Sequence, residues 1–461
     1  MTQVSSTTTD TAVAELVELL GDRVSVNDTV RDHHSHDESF HLPVLPDAVV
    51  WAESVDDVVT VVNVCNRHRV PLVPFGVGTS LEANSTPIHG GISLDMSRMD
   101  RVLRVSGEDL DVTVQPGVRR KQLNEVLSQH GLFFPVDPGA DATIGGMAST
   151  GASGTTTVKY GAMKQLVLSL QVVTPDGRVI TTSGRARKTS AGYDLTHLFV
   201  GAEGTLGVIT ELTLRVFGIP EVTAAATMQF PSVRDAVDSV IEVIQYGIDV
   251  ARIELLDTDA VRAVNGYSGT SLPEQTLLLL EFHGTEQSTA HSIDAVREVF
   301  DRHGGTGFRQ TTDEAERRKL WQARHDTSIA CRVLVPNAKS FATDVCVPIS
   351  RLTDCIEETQ RDLAESGIFG PIIGHVGDGN FHVVMSVDPR DHANVERCEA
   401  LHARLVDRAL SMGGTCTGEH GIGTGKRAYL RRELGDDAVD LMATVKRALD
   451  PNNIMNPGKV I

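Results

Sequence analysis

Residues 71–80, Pro71-Leu-Val-Pro-Phe-Gly-Val-Gly-Thr-Ser80, join a short apolar strand to a glycine-rich loop. Upstream, residues 55–67 carry apolar side chains at helical spacing, and the apolar run at 48–52 predicts another buried strand. Strand, helix, strand and glycine loop make a βαβ unit, whose ligand loop lies at the carboxyl end of a strand. The stretch therefore predicts an α/β-type ligand-binding unit.

The composition limits the class of protein. The chain has 461 residues, 42 of them basic and 61 acidic, so its formal net charge is −19, which argues against a nucleic-acid partner. Hydrophobic residues at 41% and charged residues at 22% are typical of a soluble globular protein. The six cysteines have no CxxC spacing and predict reduced, mostly buried thiols. With neither a signal or transit peptide nor a membrane-spanning apolar run recognised, we expect a cytoplasmic protein.

Glycines cluster in three places, at 76–80, 138–154 and 201–207. Glycine permits positive φ and close approach of a ligand to the backbone, and successive N–H groups in such turns bind phosphates. The clusters favour an anion cradle, and tight turns in a strand-rich domain remain the alternative. The dinucleotide fingerprint GxGxxG is absent, and so is the P-loop, because Arg427 follows Gly425-Lys426 where Ser or Thr is required.

A second constellation combines histidines with a carboxylate. Residues 374–382 read Gly-His-Val-Gly-Asp-Gly-Asn-Phe-His, and a turn at 377–379 would place His375 and His382 on opposing arms of a hairpin. Residues 418–425 add Glu419 and His420 in a glycine-rich loop. Two imidazoles and a carboxylate suit Zn²⁺, Mn²⁺ or Fe²⁺, although histidines also cap strand ends in ordinary hairpins. The histidine-rich segment 32–41 predicts a solvated entry loop rather than a metal site.

These pieces together resemble the FAD-linked oxidoreductases of the vanillyl-alcohol oxidase type, and within them the D-lactate dehydrogenase (cytochrome) branch. The resemblance runs from Asp47 to the end, through PFGVGTSLEAN (74–84), GAEGTLGVIT (201–210), KSFATDVCVPISRL (339–352), GHVGDGNFH (374–382) and GTCTGEHGIGTGKR (414–427). It implies an α+β fold with a two-subdomain FAD-binding domain and an α+β cap domain. We place the FAD-binding domain at 1–219, the cap domain at 220–427, and a C-terminal segment returning to the FAD-binding domain at 428–461.

The resemblance also implies the roles of particular residues. FAD is expected to be non-covalent because the diphosphate loop lacks histidine and cysteine, although His89 downstream is not excluded. Metal ligands fall on His375, His382 and Glu419, the general base on His420, and the substrate-carboxylate arginine on Arg324, which lies on a predicted helix. The implied flavin contacts are Gly76, Val77, Gly78, Thr79, Ser80, Pro138, Gly139, Thr143, Gly145, Gly146, Gly151, Ser153, Gly204, Gly207, Ile209 and Asn456.

The expected reaction is oxidation of a D-2-hydroxy acid, D-lactate to pyruvate in the first instance. Similar D-2-hydroxyglutarate dehydrogenases have a basic residue just before the aspartate that corresponds to Asp344. The stretch Phe341-Ala342-Thr343 is uncharged here, so the resemblance implies a monocarboxylate rather than D-2-hydroxyglutarate. The expected electron acceptor is a cytochrome, a quinone or an electron-transfer flavoprotein, with any membrane contact peripheral and a homodimer left open. The alternatives are the flavin-binding component of a glycolate oxidase complex, a D-2-hydroxyglutarate dehydrogenase, a metallohydrolase with structural glycine loops, and a non-enzymatic nucleotide-binding module.

Overall fold

The computed structural model describes residues 6–334 and 338–461, and its internal contacts divide the chain into two units. The first unit comprises the chain through Ser153, Ala162–Ile219 and Glu419–Ile461, and the second comprises Gly154–Gly161 and Pro220–Gly418. The last domain boundary was predicted after residue 427, whereas residues 419–427 lie with the first unit. The reason is local: Glu203 of the first unit accepts hydrogen bonds from the backbone N–H groups of Ile422 and Gly423.

Two main sheets form the first unit. A four-stranded sheet has the order Val24–Ser25, Ala48–Trp51, Ile92–Asp95 and Leu72–Phe75, and its last three strands are parallel. A five-stranded antiparallel sheet has the order Val102–Ser106, Asp111–Val114, Val208–Arg215, Val167–Val173 and Val179–Thr181. Leu132–Phe133 and Phe217–Gly218 form a further short pair. Each main sheet has its own apolar core, which matches the two-subdomain organisation.

The first unit also contains ten helices within the described residues, several of which pack on these sheets. They are Ser6–Leu20, Gly21–Arg23 (3₁₀), Asp28–His33, Val55–His68, Arg120–Ser128, Ile144–Thr150, Met163–Leu166, Leu195–Phe199, Arg427–Leu434 and Asp436–Leu449. The predicted helix after the first parallel strand shows why they form. Ser54 and Asp57 make a capping box at its start, and Val58, Val61 and Val62 are buried on one face at i, i+3, i+4 spacing. The βαβ prediction is thus correct.

The C-terminal segment is part of the same subdomain core. Leu72 donates its backbone N–H to the Ile454 carbonyl at 2.8 Å, and the Leu72 carbonyl accepts from the Asn456 N–H at 2.8 Å. Ile454 and Met455 are buried with the four-stranded sheet. The strand that leads into the glycine loop is therefore fixed on one side by residues almost 400 positions later in the chain.

The second unit is built on one antiparallel sheet. Its order is Thr306–Thr311, Val222–Phe230, Thr276–Gly284, Arg252–Leu256, Ile372–His375, Asn380–Val387 and Lys339–Ala342, and Val345–Cys346 also pairs with Asn380–Val387. Its helices are Thr157–Tyr160, Val233–Gln245, Thr258–Ser268, Glu286–Arg302, Glu314–Val333, Ile349–Arg351 (3₁₀), Leu352–Ser366 and His392–Ser411.

The prediction of a solvated loop at 32–41 is wrong for its central residues. His34, Ser35, Asp37 and Ser39 are buried. The His34 ring makes hydrogen bonds to the Val30 carbonyl at 2.8 Å and to Asp95 at 2.9 Å, and Asp37 accepts from the Ser80 hydroxyl at 3.0 Å. A polar segment can be buried when such partners replace water, and here the segment lies against the glycine loop.

Two smaller expectations concern thiols and membranes. Five of the six cysteines are buried and Cys346 is half-buried, and no disulfide joins any of them, as predicted. Within residues 6–334 and 338–461, none of the helices combines the length and apolar character that crossing a bilayer requires.

Candidate active site

The predicted hairpin in the second unit carries two histidines on one face. His375 ends the strand Ile372–His375 and pairs with Asn380, while His382 pairs with Ile373 on the same strand. Because residues two apart in a strand point to the same side, both imidazoles project from one face of the sheet. Their ring centroids are 5.5 Å apart, and a ring nitrogen of each lies within 4.8 Å of one of the other. The turn at 376–379, in which the Asp378 N–H donates to the His375 carbonyl at 3.0 Å, sets this register.

Hydrogen bonds fix which nitrogen of each ring carries the proton. His382 Nδ1 lies 2.9 Å from the Thr343 carbonyl oxygen, and His375 Nδ1 lies 2.7 Å from Glu254 Oε1. A carbonyl accepts only, and so does a carboxylate, so Nδ1–H is the donor in both rings and the lone pair is on Nε2. This is the arrangement that metal-binding histidines show, with the second nitrogen held by an acceptor. The pair thus fits a divalent transition metal.

Glu254 also holds the predicted substrate arginine. Its Oε2 accepts from Arg324 Nε at 2.9 Å and lies 2.7 Å from Arg324 Nη2. Both residues are buried, with 1% of Glu254 and 6% of Arg324 exposed. Burial alone would raise the pKa of Glu254, but His375 and the Arg324 guanidinium outweigh it and lower the pKa, so the carboxylate is ionised. Glu254 was not predicted from the sequence, in which its one signal is a carboxylate inside the apolar run at 253–256.

Asp344 and Asn380 form a polar group beside the histidine strands. Asp344 is fully buried, and its two oxygens accept from Asn380 Nδ2 at 2.9 Å and from the Thr417 hydroxyl at 2.7 Å. Asn380 Nδ2 donates to the Val345 carbonyl as well, which fixes the amide orientation. The Asn380 amide oxygen is buried and has no donor within the part of the chain that the structure describes. It is an acceptor suited to a bound hydroxyl or water.

In the first unit, Glu419 and His420 occupy a loop fixed by buried carboxylates. Glu419 accepts from the Ser153 hydroxyl at 2.6 Å, which joins a predicted metal ligand to a predicted flavin contact. The His420 carbonyl accepts from Asn84 Nδ2 at 3.4 Å, and the same amide donates to Glu203 at 2.7 Å. Burial raises the pKa of Glu203, against the lowering effect of the N–H donors that it accepts from. These contacts determine where the backbone of residues 419–423 runs.

The His420 ring faces a second buried carboxylate. Its Nδ1 lies 4.0 Å from Glu82 Oε1, and Lys426 Nζ lies 2.9 Å from the same oxygen. Lys426 is completely buried, and Glu82 is 5% exposed. The Glu82 carboxylate therefore lies between the buried Lys426 ammonium group and the His420 imidazole.

The first glycine loop meets the requirements of a diphosphate cradle. Among the described residues, none accepts a hydrogen bond from the backbone N–H groups of Gly76 to Ser80. Gly78 has φ +66°, and a Cβ at Gly76 would lie 2.4 Å from Thr143 Oγ1, so neither position tolerates a larger residue without strain. The loop is half-buried, and its backbone N–H groups can therefore donate hydrogen bonds to an anion although the protein as a whole is acidic.

In the second glycine cluster, at 138–154, several residues are required by the protein's own packing and helix capping. Thr143 caps the helix Ile144–Thr150 by accepting from the Gly146 N–H, and Gly145 donates to the Pro116 carbonyl at 2.8 Å. A Cβ at Gly145 would lie 2.5 Å from Pro116 Cβ, so glycine is required here by packing. Gly151 ends the helix with φ +70°, and Pro138 and Gly139 remain accessible at the loop entrance.

Of the remaining predicted flavin contacts, some lie near the first glycine loop and others lie in the core. Gly204 packs on Pro74 just before the glycine loop, and Asn456 donates to the Glu203 carbonyl at 2.7 Å and the Asn84 carbonyl at 2.9 Å. The Asn456 amide oxygen is buried without a donor among the described residues. Gly207 and Ile209 instead belong to the strand core. Thr143 lies against Gly76, Gly204 against Pro74, and Asn456 beside Leu72 of the same strand, whereas the side chain of Ile209 lies in the interior.

Comparison with known proteins agrees with this geometry. Residues 46–183 match the family model described as FAD binding domain, and residues 219–460 match the one described as FAD linked oxidases, C-terminal domain. The chain therefore belongs to the FAD-linked oxidases, and it is a flavoprotein oxidoreductase that uses FAD. Its similarity within that family is to the D-lactate dehydrogenase (cytochrome) branch, as the following relatives indicate.

Three relatives span almost the whole chain. "Probable D-lactate dehydrogenase, mitochondrial" of Danio rerio is 49% identical over 95% of this chain and 89% of its own length. "D-lactate dehydrogenase [cytochrome], mitochondrial" of Arabidopsis thaliana is 44% identical over 97% of this chain and 80% of its own length. "Glycolate oxidase subunit GlcD" of Bacillus subtilis is 33% identical over 93% of this chain and 91% of its own length. The family predicted from the motifs is thus confirmed.

Solved structures bear on the fold. A crystal structure of p-cresol methylhydroxylase with substrate bound has a TM-score of 0.82 and 19% identity, covering 99% of this chain and 97% of that one. At this identity the likeness concerns the fold alone. It confirms the predicted α+β fold of vanillyl-alcohol oxidase type. The family membership in turn decides against the metallohydrolase and the non-enzymatic nucleotide-binding module.

Proposed function

We propose that the protein is an FAD-dependent dehydrogenase of D-2-hydroxy acids and that it oxidises D-lactate to pyruvate. The observation that carries the proposal is the buried array of Arg324, Glu254, His375 and His382 in an FAD-linked oxidase. A guanidinium suits a substrate carboxylate, and histidines with lone pairs on Nε2 suit a metal that binds a hydroxyl. A 2-hydroxy acid has both groups on neighbouring carbons.

FAD would be held non-covalently by the first unit. In this proposal the diphosphate contacts Gly76 to Ser80, whose N–H groups have no acceptor among the described residues. Pro138, Gly139, Thr143, Gly145, Gly146 and Gly151 would border it, and Ser153, Gly204, Gly207, Ile209 and Asn456 complete the set that the family resemblance implies. When bound, FAD supplies the acceptor for the hydride that leaves the substrate Cα.

A divalent cation, Zn²⁺, Mn²⁺ or Fe²⁺, would be bound by His375, His382 and Glu419. The two histidines have the tautomer that a metal requires, and Glu419 is the third ligand on the family resemblance. A cation at this place supplies polarisation of the substrate hydroxyl, which lowers its pKa.

The roles of the remaining side chains follow from the balance of the reaction. D-Lactate loses a hydride from Cα and a proton from its hydroxyl, and a carbonyl forms between the same carbon and oxygen. His420 takes the proton, and Glu82 stabilises the resulting imidazolium. Arg324 orients the substrate through its carboxylate, which brings the reacting atoms together before the chemical step.

Substrate size and acceptor are the finer parts of the proposal. Phe341 and Thr343 are buried and uncharged, so no second carboxylate is compensated at this position, which favours D-lactate over D-2-hydroxyglutarate. A role as the flavin-binding component of a glycolate oxidase complex is the second candidate, because the Bacillus subtilis relative spans the same length, and it would require partner proteins. The proposed electron acceptor is a cytochrome, in line with the name of the Arabidopsis thaliana relative, with a quinone or an electron-transfer flavoprotein as alternatives.

Compartment and assembly are also proposals. The reduced thiols favour the cytoplasm, whereas two relatives carry the word mitochondrial in their names, and cell fractionation with an antibody decides between these compartments. Peripheral membrane contact and a homodimer are tested by flotation with vesicles and by sedimentation.

The decisive experiment is the visible spectrum of the purified protein before and after anaerobic D-lactate. L-Lactate, glycolate and D-2-hydroxyglutarate serve as matched controls. Selective bleaching of the flavin by D-lactate is the expected result. Bleaching by glycolate alone would favour the glycolate oxidase function, and no bleaching by any of the four, after loading with FAD and metal, would overturn the proposal.

Acid precipitation tests the mode of flavin attachment. Non-covalent FAD is expected to leave with the supernatant, whereas yellow colour in the washed pellet would indicate a covalent link, with His89 the first residue to substitute.

A further inference from the structure

Glu254 lies at the centre of the histidine-bearing face, on the strand Arg252–Leu256. Leu255 pairs with Gly374, so one position further along the ladder Glu254 faces His375. Opposite residues on an antiparallel pair share a face of the sheet. Glu254, His375 and Asn380 therefore form one cross-strand row, and His382 lies on the same face two positions away.

Each oxygen of this carboxylate has its own partner. Oε1 accepts from His375 Nδ1 at 2.7 Å, and Oε2 accepts from Arg324, whose Nε lies at 2.9 Å and Nη2 at 2.7 Å. Arg324 comes from the helix Glu314–Val333, which is separate from the sheet in sequence. A single carboxylate thus joins a helix residue to a strand residue.

The contact orients the guanidinium. Within the described part of the chain, Glu254 is the only acceptor for Arg324. Of the five N–H groups of an arginine, the Nε–H and one on Nη2 face Glu254, and both on Nη1 are directed elsewhere. Glu254 thereby leaves one edge of Arg324 for a second carboxylate.

The contact also selects the tautomer of His375. A carboxylate accepts only, so it requires Nδ1–H and leaves the Nε2 lone pair for a metal. A glutamine could instead donate from its amide and stabilise the opposite tautomer, with the proton on Nε2. Glu254 is therefore connected to both ends of the proposed substrate site.

We infer that Glu254 is a positioning residue that sets the distance between the substrate-carboxylate arginine and the metal-binding histidine. This inference rests on the proposed function and adds to it the residue that selects for 2-hydroxy acids. The two partners are separated by one carboxylate group, which matches a substrate whose carboxylate and hydroxyl sit on adjacent carbons. Glu254 itself takes no proton and touches no substrate.

The test uses Glu254→Gln in the full-length, FAD-loaded protein. Two readouts are taken: the dissociation constant of Zn²⁺ or Mn²⁺, by competition with a chelator, and KM and kcat for D-lactate. We expect metal affinity to fall about 10–100-fold, as it does when acceptors behind metal ligands are lost. At saturating metal we expect kcat to recover to within about threefold while KM stays raised by roughly 10-fold.

Glu281→Gln is the matched control. Glu281 lies on the neighbouring strand Thr276–Gly284, is 4% exposed, and likewise contacts a histidine, His283 at 2.8 Å, and an arginine, Arg252 at 3.3 Å. It therefore reproduces the cost of neutralising a buried carboxylate between the same residue types. Glu254→Asp keeps the charge but is one methylene shorter, so we expect it to restore part of the metal affinity. If Glu254→Gln does not retain flavin, Glu254→Asp is compared with Glu281→Asp instead. The same two readouts are taken, and we expect a smaller loss of metal affinity and a smaller rise in KM.

The outcomes separate this inference from the proposed function. Glu254 variants whose metal affinity and KM match those of the Glu281 variants would overturn the inference. A change in only one of the two readouts would overturn the link between them. A parent protein that oxidises D-lactate and binds metal keeps the proposed function in either case, and a parent that does neither removes the function and the inference together.

Discussion

Replacing Lys446 by methionine removes a buried cation beneath the C-terminal segment. Lys446 Nζ donates to the Thr205 carbonyl at 2.7 Å, to the Met455 carbonyl at 2.8 Å and to Asp450 Oδ2. Asp450 in turn accepts the Ile454 and Met455 N–H groups at 3.0 and 2.8 Å. Methionine has a similar length but no donor, so two carbonyls lose a partner and the Asp450 carboxylate loses its counter-charge.

The expected loss is large for one substitution. Removing one partner of a buried ion pair costs about 3–5 kcal/mol, because the other charge stays buried without compensation. The double variant Lys446→Met/Asp450→Asn removes that charge as well and keeps one acceptor oxygen for the N–H groups. We expect it to recover roughly 2 kcal/mol relative to the single variant, a coupling energy typical of residues in direct contact.

The assay is urea unfolding followed by circular dichroism and by flavin fluorescence. Residues 454–456 pair with Leu72, four positions before the glycine loop, so flavin should be lost at lower urea in the single variant. Arg447→Met, one residue along the same helix and exposed, is the control and should change the free energy of unfolding by less than about 0.5 kcal/mol. A loss below about 1 kcal/mol for Lys446→Met, or a double variant no more stable than the single, would refute the reasoning.

Three further outcomes are expected. Burial lowers the pKa of Lys459 to about 8, so above pH 8 the unfolded state binds more protons than the folded state. Between pH 7 and pH 10 the parent protein should therefore gain on the order of 2 kcal/mol of unfolding free energy relative to Lys459→Met, measured by urea unfolding at each pH. A difference that stays constant with pH would contradict this. Gly91→Ala puts a Cβ 2.2 Å from the Pro71 carbonyl oxygen at φ +84° and should cost at least about 2 kcal/mol by thermal melting, where Gly131→Ala, which meets no atom within 4 Å, should cost less. His420→Ala should keep flavin and metal but lose turnover, whereas Glu419→Gln should lose metal; unchanged turnover in the first, or full metal occupancy in the second, would remove the residue from its assigned role.

Local signals were sufficient for many elements of the fold. The helix predicted at 55–67 is observed at Val55–His68, and the hairpin predicted within 374–382 is observed as the strands Ile372–His375 and Asn380–Val387. These elements are determined by spacing and turn chemistry within about 20 residues. Thr258–Ser268 was missed even though Asp257 caps it by accepting the Ala260 N–H at 2.8 Å, because its apolar positions are few and a strand precedes it directly.

The candidate site was predictable only in its residue types. His375 and His382 carry a motif, but the acceptors that fix their tautomers are Glu254, 121 residues away, and the Thr343 carbonyl, 39 residues away. Every residue has a backbone carbonyl, so the sequence does not identify the one that accepts from His382. A single glutamate in an apolar strand likewise does not identify its partners. The same limit applies to His34, which is buried only because Val30 and Asp95 provide acceptors.

The division of the chain has a consequence for its biosynthesis. The first unit draws on residues up to 153, on 162–219 and on 419–461, whereas nearly all of the second lies in one continuous stretch, 220–418. A ribosome releases these residues in order, so the second unit has its complete sequence before the first one does. The strand that leads to the glycine loop acquires its Met455 neighbour only after residue 455 has left the exit tunnel. Stable binding of flavin should therefore follow the emergence of residues 454–456, and until then the strand Leu72–Phe75 remains an open edge of its sheet.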